Sequence, residues 1–183
     1  TQQQKAIYNP KEYFLRHNLK GIDLVERVNN FSKLKICVIG DIIIDEYVDC
    51  HPLGMSQEDS TVVMRPVNSK KYLGGAGIVS AHAACLGAEV NFISVSGNDD
   101  TRKFTLNKLN DYKVKSKIFI DENRPTTLKK RYRSNGNSLF RTSYLHQDEI
   151  PLSIQKLILV HLEELIDDID LLVFSDFNYG CLP

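Results

Sequence analysis

Uninterrupted apolar runs alternate along this chain with segments in which apolar residues recur at helical spacing. The runs that follow Lys35, Glu89 and Asp170 are short and rich in β-branched residues. Such runs are typical of strands buried on both faces of a parallel sheet, and we expect the first strand to end at Gly40. Alternation of strands with helices predicts an α/β fold. Helices are expected in four segments, 22–31, 76–86, 99–114 and 153–169.

Two segments depart from this alternation. Residues 47–72 contain short apolar stretches that are interrupted by Pro66 and by polar residues, which predicts short strands joined by turns. Residues 126–145 consist of two runs on either side of Asn135-Gly136, a pair that strongly favours a β-hairpin. We therefore expect a small sheet outside the main core.

Length and charge limit the possible functions. The 183 residues suffice for one domain with a substantial core, preceded by a leading tail and helix in residues 1–34. Lys plus Arg and Asp plus Glu both number 23, so the charge balance favours neither nucleic acid nor a membrane as a partner.

The four cysteines lack metal-ligand spacing, and the chain carries no recognisable signal peptide, which favours reduced thiols in the cytoplasm. Cys37 and Cys85 lie in apolar segments, where we expect buried and unreactive thiols.

Candidate chemistry lies after the predicted strands, because ligands of open α/β sheets bind at the carboxyl ends of the strands. Asp41 and Asp45 follow the first strand and could accept hydrogen bonds from sugar hydroxyls or hold a cation. The alternative is that Asp41 caps a turn and Asp45 is solvated. Residues 175–180 follow the last strand and form a third polar segment.

Gly74 and Gly75 precede a helix of small residues that is expected to stop at Gly87. They allow a ligand to approach the backbone, and the helix start offers free N–H groups to a phosphate, carboxylate or hydroxyl oxygen. A plain tight turn is the alternative. The partial likeness of "GAGIVS" to a dinucleotide fingerprint is weak, because Ser80 stands where the last glycine belongs.

The predicted hairpin is basic. Alternation would place several of its cations on one face, where they could reach a sugar phosphate, although a solvated surface is the commoner arrangement. The five histidines have no metal-ligand spacing, and we assign no metal site. The basic residues of this hairpin are Lys129, Lys130, Arg131, Arg133 and Arg141.

Four segments in order resemble the PfkB, or ribokinase-like, carbohydrate kinases: "VIGDIIIDEYV", "YLGGAGIVSAHAACLGAEVNFISVSGNDD", "RPTTLKKRYRSNGNSLFR" and "VFSDFNYG". The likeness is greatest to the heptose-phosphate kinase domain of bifunctional ADP-heptose synthesis enzymes. It implies a ribokinase-like parallel sheet flanked by helices with a small β lid. Residues 35–183 would be the N-terminal part of such a domain, with lid strands around 47–72 and 126–145.

The resemblance also implies roles for individual residues in ATP-dependent phosphoryl transfer to a sugar hydroxyl. Asp45 would bind sugar hydroxyls, Gly74 and Gly75 would line the sugar pocket, and Lys129 and Arg141 would be candidates for a substrate phosphate. Asp41, Asp176 and Tyr179 would lie near the groove between sugar and nucleotide. ATP and Mg²⁺ are expected for the complete enzyme, and a homodimer through the lid is possible in such a fold.

Three departures from the family pattern qualify this expectation. Ile78 stands where the family usually has a sugar-binding asparagine, and an apolar side chain cannot make those hydrogen bonds. Tyr179 stands where a lysine is expected. The family's "GAGD"-like loop and catalytic base have no counterpart in these residues, so we expect no turnover from this chain alone.

Two functions therefore remain open from the sequence. The first is the N-terminal part of a sugar kinase, with a heptose phosphate or related sugar as substrate. The second is a degenerate kinase-like module that binds sugars or partner proteins without catalysis, an alternative that Ile78 and Tyr179 favour.

Overall fold

The computed structural model describes residues 10–183, and the predicted leading tail lies mostly outside these residues. The helices are α1 (Pro10–Arg16), α2 (Gly21–Asn30), α3 (Gly75–Cys85), α4 (Asp100–Asp111) and α5 (Leu152–Leu165), with 3-10 turns at Phe31–Lys33 and Ile166–Asp168. The strands are β1 (Lys35–Gly40), β2 (Ile42–Met55), β3 (Val62–Gly74), β4 (Glu89–Ser96), β5 (Lys115–Ile120), β6 (Leu128–Ser134), β7 (Asn137–Tyr144) and β8 (Leu171–Ser175).

The main sheet is parallel, with the strand order β5-β4-β1-β8, which confirms the predicted α/β fold. Successive residues of β1 point to opposite faces, and both faces are buried. Val38 packs in one apolar layer with residues of α3 and α4, whereas Ile39 packs in the other with Ile154 and Ile158 of α5. This two-sided burial explains why the strands appear in the sequence as continuous apolar runs.

The second sheet, called the lid below, consists of β2, β3, β6 and β7 in the order β3-β2-β6-β7. Strand β2 is antiparallel to β3 and parallel to β6, and β6 is antiparallel to β7. The prediction of several short strands in 47–72 is wrong, because this region belongs to two long strands. Strand β2 starts in the main core and β3 returns to it. Pro66 fits within β3 because β3 is an edge strand and the pairing shifts register there.

The predicted hairpin turn, the stop of α3 at Gly87 and the start of α4 at Asp99 are confirmed, whereas α4 and α5 end at Asp111 and Leu165, before the predicted limits of 114 and 169. Asn135 and Gly136 have φ values of 49° and 81°, as a two-residue hairpin with both central residues at positive φ requires. Gly87 has φ 105° directly after α3 and its end residue Leu86. Asp99 caps α4, since its Oδ1 accepts a hydrogen bond of 2.9 Å from the N–H of Arg102.

The two cysteines of the apolar segments differ in environment. Cys37 is buried, and burial raises the pKa of its thiol to about 11, as expected for an unreactive structural cysteine. Cys85 is exposed at the end of α3, so the prediction of burial is wrong for this residue. The helical spacing of 76–86 indicated this only weakly, because α3 consists mostly of small apolar residues and its polar side chains are Ser80 and His82.

One surface of the main sheet is left apolar and exposed. The prediction that the run after Asp170 is buried on both faces is wrong, because this run forms β8 at an edge of the sheet, where Phe174 is 63% exposed. Leu157, Leu159 and Val160 of α5 are also exposed. Within residues 10–183, no helix has both the length and the apolar composition needed to cross a lipid bilayer.

Candidate functional site

Asp45 and Gly74 meet where the lid joins the main sheet. Asp45 lies on β2, and its side chain is partly exposed with 24% of its surface accessible. A Cβ atom at Gly74 would lie 2.6 Å from Oδ2 of Asp45, so only a glycine leaves room for the carboxylate in this position. The structure thus brings together two residues to which the sequence assigned a sugar-binding role.

A glycine is required at position 75 by the conformation of the backbone, and not because a ligand needs open space there. Its φ is +54°, and an added Cβ would lie 2.4 Å from the carbonyl oxygen of Asp41. The same carbonyl accepts a hydrogen bond of 2.9 Å from the N–H of Ala76, so one amide of the first turn of α3 is already bonded. The tight-turn alternative therefore accounts for Gly75, whereas Gly74 borders the space beside Asp45.

Asp41 is a structural carboxylate. Its side chain is buried, and its two oxygens accept hydrogen bonds from the N–H groups of Phe177, Tyr179 and Cys181 at 2.8, 3.2 and 3.1 Å. These bonds hold the loop that follows β8, residues 176–183, against the end of β1. The structure therefore favours the alternative in which Asp41 caps a turn. The turn belongs to the distant loop after β8 and not to the residues that follow Asp41.

Arg124, which the sequence analysis did not single out, secures the same loop from the other side. It forms a buried ion pair with Asp121, with 2.8 Å between Nε and Oδ2. Its guanidinium also donates to the carbonyl oxygens of Tyr179 at 3.0 Å and Asp148 at 3.1 Å. An arginine three residues after an aspartate at a strand end gave a weak local signal, but its long-range acceptors could not be inferred from spacing.

Two further residues from the sequence analysis, Asp176 and Ile78, differ in exposure. Asp176 is exposed, and its Oδ1 accepts a hydrogen bond of 2.7 Å from the N–H of Asn178. Ile78 is half-buried and packs against the apolar cluster between the main sheet and α3. This packing gives the apolar side chain at position 78 a structural role.

The basic hairpin places its cations beside the carboxylates of β2. Lys130 pairs with Glu46 at 3.2 Å, and the pKa of Glu46 is lowered, because hydrogen bonds from Ser69 and Lys130 outweigh the raising effect of burial. Arg131 lies 3.6 Å from Asp45, at the closest approach of their N and O atoms. The same register places Lys129 opposite Asp45, and Arg141 opposite Arg131. Lys129, Arg131 and Arg141 therefore share the face of the lid that carries Asp45.

Lys129 contacts the main domain through Tyr179. Its Nζ lies 4.9 Å from the centroid of the Tyr179 ring, which is a cation–π contact between the lid and the loop after β8. The structure thus brings together Asp45, Gly74, Lys129 and Tyr179, and it leaves Arg141 exposed on the outer strand β7. Their assignment to a substrate stays a prediction.

No residue is assigned to a metal ion. Within the described residues 10–183, no group of three or more His, Cys, Asp or Glu side chains is arranged to hold one. The carboxylates nearest the site are already bonded, Asp41 to backbone amides and Asp45 to Arg131.

Comparison with known proteins gives one consistent result. A sequence profile for "pfkB family carbohydrate kinase" matches residues 33–179. The protein named "Bifunctional protein HldE" from Helicobacter acinonychis is 33% identical over 149 residues, which are 81% of this chain and 32% of that protein. The protein of the same name from Campylobacter jejuni subsp. doylei is 30% identical over 151 residues, covering 82% of this chain and 31% of its own length.

The chain therefore spans about a third of the length of these curated relatives. Among solved structures, "Carbohydrate kinase from Agrobacterium tumefaciens" aligns with a TM-score of 0.58 and 18% identity, covering 77% of this chain and 45% of that one. At this level of identity the likeness is one of fold, and it confirms the predicted α/β class.

Proposed function

Because this chain belongs to the pfkB family of carbohydrate kinases, we propose that it forms the sugar-binding part of an enzyme that transfers phosphate from ATP to a sugar hydroxyl. The observation that carries this proposal is the contact of Asp45 with the Gly74 position at the base of the lid. A partly exposed carboxylate beside open backbone is suited to accept hydrogen bonds from hydroxyl groups. The proposed substrate is a heptose phosphate or a related phosphorylated sugar, as the sequence resemblance implies.

Each site residue has a role in this proposal. Asp45 accepts hydrogen bonds from sugar hydroxyls, Gly74 borders the pocket, and Gly75 supports it by turning the chain into α3. The basic face of the lid, with Lys129 and Arg141, receives the substrate phosphate, since ammonium and guanidinium groups bind phosphate through charge-assisted hydrogen bonds. Asp41 acts indirectly by holding the loop of Asp176 and Tyr179 near the groove.

ATP and Mg²⁺ belong to the proposal for the complete enzyme. In this proposal the ion is held mainly by the nucleotide phosphates, because Mg²⁺ keeps several waters and usually binds through one or two carboxylates and the substrate phosphates. We expect the 183-residue chain by itself to bind sugar without turning over ATP. The proposed location is the cytoplasm, in keeping with ATP as the phosphate donor.

A second candidate is a module that binds a sugar or a partner protein and has no catalytic role. The half-buried Ile78 favours it, because an apolar side chain packed into the core cannot hydrogen-bond a sugar. Tyr179 favours it as well, because a phenol carries no positive charge at neutral pH.

Calorimetry on variants of the same strand tests the proposed site. Asp45→Asn removes the charge that we propose faces the sugar, whereas Asp49→Asn removes a charge four residues further along β2 that pairs with Arg133. We expect D45N to weaken binding of a heptose phosphate about tenfold or more, and D49N to change it little. Equal effects of the two substitutions would place the sugar elsewhere.

An ATPase and sugar kinase assay on the complete gene product separates the two candidates. Phosphorylated sugar as a product, lost in D45N, supports the kinase. Sugar binding with no consumption of ATP by the complete protein supports the binding module.

We also propose that two copies associate through their lids. The far end of the lid carries an apolar groove of about 530 Å³, and exposed side chains there include Val62 and Phe140. Exposed apolar patches of this kind are typical of protein interfaces.

A further inference from the structure

One cation of the lid is held differently from its neighbours on β6. Lys130, Arg131 and Arg133 each lie within ion-pair distance of a carboxylate on β2, at 3.2, 3.6 and 3.1 Å. Lys129 has Asp45 as its register partner on β2, yet among the described residues it takes part in no ion pair. Its ammonium lies instead over the ring of Tyr179.

Tyr179 is fixed by the main domain. Its N–H donates to Oδ2 of Asp41 at 3.2 Å, and its carbonyl oxygen accepts from Arg124 at 3.0 Å. Both partners are buried, and Arg124 is itself held by Asp121. The ring that receives Lys129 is therefore carried by a loop with little freedom, although the lysine belongs to the lid.

An aromatic ring and a carboxylate act differently on the charge and the N–H donors of a lysine ammonium. A carboxylate neutralises the ammonium and accepts its N–H groups, as Glu46 does for Lys130. An aromatic face attracts the charge through its quadrupole and does not neutralise it. The ammonium of Lys129 therefore retains its positive charge and hydrogen-bond donors for a further group.

We propose that Tyr179 is a positioning residue that holds the Lys129 ammonium as an uncompensated cation at the boundary of lid and main domain, where it binds a phosphate group. The identification of that phosphate with a sugar-phosphate substrate rests on the proposed function. The cation lies on the face of the lid that carries Asp45, so one ligand can reach both side chains.

Phosphate affinity of matched variants of the 183-residue chain tests this role, with inorganic phosphate as the probe. Tyr179→Leu removes the ring, Tyr179→Phe keeps it, and Lys129→Met removes the cation. Lys117→Met is the control, because Lys117 also lies over an aromatic ring, that of Phe119 at 5.6 Å, but on the main sheet. We expect Y179L and K129M each to weaken phosphate binding about threefold to thirtyfold, and Y179F and K117M to leave it unchanged.

A double variant and a spectroscopic signal complete the test. The variant with both Y179L and K129M should bind phosphate no more weakly than K129M alone, because the ring acts only through the lysine. In proton NMR, the ε-methylene signal of Lys129 should lie upfield in the unaltered chain and in Y179F, and should move downfield in Y179L. If Y179L does not fold, this signal in the unaltered chain and in Y179F shows whether Lys129 lies over the ring at position 179.

Several results would overturn the proposal: no phosphate binding by the unaltered chain, additive losses in the double variant, or an unshifted Lys129 signal. Failure of the proposed function gives a different pattern. In that case sugar phosphates bind no better than inorganic phosphate and the complete protein consumes no ATP, while the phosphate affinities and the Lys129 signal still follow the ring at position 179.

Discussion

At the scale of single residues, two carboxylates four positions apart have opposite roles. Asp41 is buried and bonded to three backbone amides, whereas Asp45 remains partly exposed beside Gly74. Their sequence context is nearly the same, since both follow the first apolar run. The difference arises from the loop after β8, which packs against Asp41 and leaves Asp45 partly exposed on the lid strand β2.

The first prediction concerns Asp41. Asp41→Asn removes the charge that three N–H groups share and turns an NH₂ group toward some of these donors. We expect the free energy of unfolding to fall by about 2 kcal/mol in urea denaturation. Amide exchange at Phe177, Tyr179 and Cys181 should accelerate.

Asp176→Asn is the control for this substitution, because Asp176 is exposed and its single bond lies within its own turn. Its effect should stay within about 0.5 kcal/mol. A D41N protein as stable as the unaltered one would show that the loop is held by other contacts.

The second prediction concerns pH and Asp121. Burial raises the pKa of Asp121, but hydrogen bonds from Arg124 and from the N–H of Asn123 outweigh burial, so the pKa lies below its usual 3.8. As pH falls, the unfolded chain therefore takes up this proton before the folded protein does. The stabilising contribution of Asp121 is complete above about pH 5 and is lost as pH decreases through the pKa of the folded state.

Urea denaturation between neutral pH and about pH 3 measures this loss. Asp121→Asn should be less stable than the unaltered chain at neutral pH, because Arg124 remains buried without its charged partner. The difference between the two proteins should shrink as the pH falls. A constant difference across this range would contradict the assignment to Asp121.

At the scale of elements, the junction of β3 and α3 contains adjacent glycines with different constraints. Gly75 has a positive φ and faces a backbone carbonyl oxygen. Gly74 faces the end of the Asp45 side chain, which can rotate away. Gly75 is thus required by the path of the chain, and Gly74 by the present position of the Asp45 side chain.

The third prediction follows from this difference. Gly75→Ala should lower the free energy of unfolding by at least about 2 kcal/mol, since strain at positive φ adds to the backbone clash. Gly74→Ala should cost less stability but should weaken sugar binding by displacing Asp45. Thermal unfolding and calorimetry measure the two effects, and the reverse order of stability would contradict the local geometry.

Sequence spacing predicted the elements with uneven success. Asn135-Gly136 and Asp99 specified a hairpin and a helix start, because their backbone preferences act within a few residues. The lengths of β2 and β3 were not predicted, because their outer parts lie in the exposed four-stranded sheet of the lid and lack the continuous apolar run of a core strand. Pro66 predicts an interruption of the strand, and the edge position of β3 is what allows a proline within it.

At the scale of the whole molecule, two of the apolar surfaces exposed on the described residues are candidates for association. One is the groove at the far end of the lid, and the other includes Phe174 on β8 together with exposed side chains of α5. The first would serve association through the lid. The second leaves an edge strand open, which native proteins usually cover.

The fourth prediction separates these surfaces. Leu139→Asp charges the lid groove, and Phe174→Asp charges the edge of the main sheet. If copies associate through the lid, sedimentation velocity should show a concentration-dependent dimer in the unaltered chain and in F174D, and a monomer in L139D. Dissociation by F174D instead of L139D would move the interface to β8 and α5.

The sequence was sufficient to predict the parallel α/β architecture, the hairpin, the stop of α3, the start of α4 and the family, because apolar periodicity and turn preferences are local and the motifs occur in a fixed order. Three interactions became visible only in the folded chain: the binding of Asp41 to the distant loop, the anchoring of that loop by Arg124, and the contact of Lys129 with Tyr179. These interactions join residues far apart in the chain, and their partners are set by the packing of whole elements.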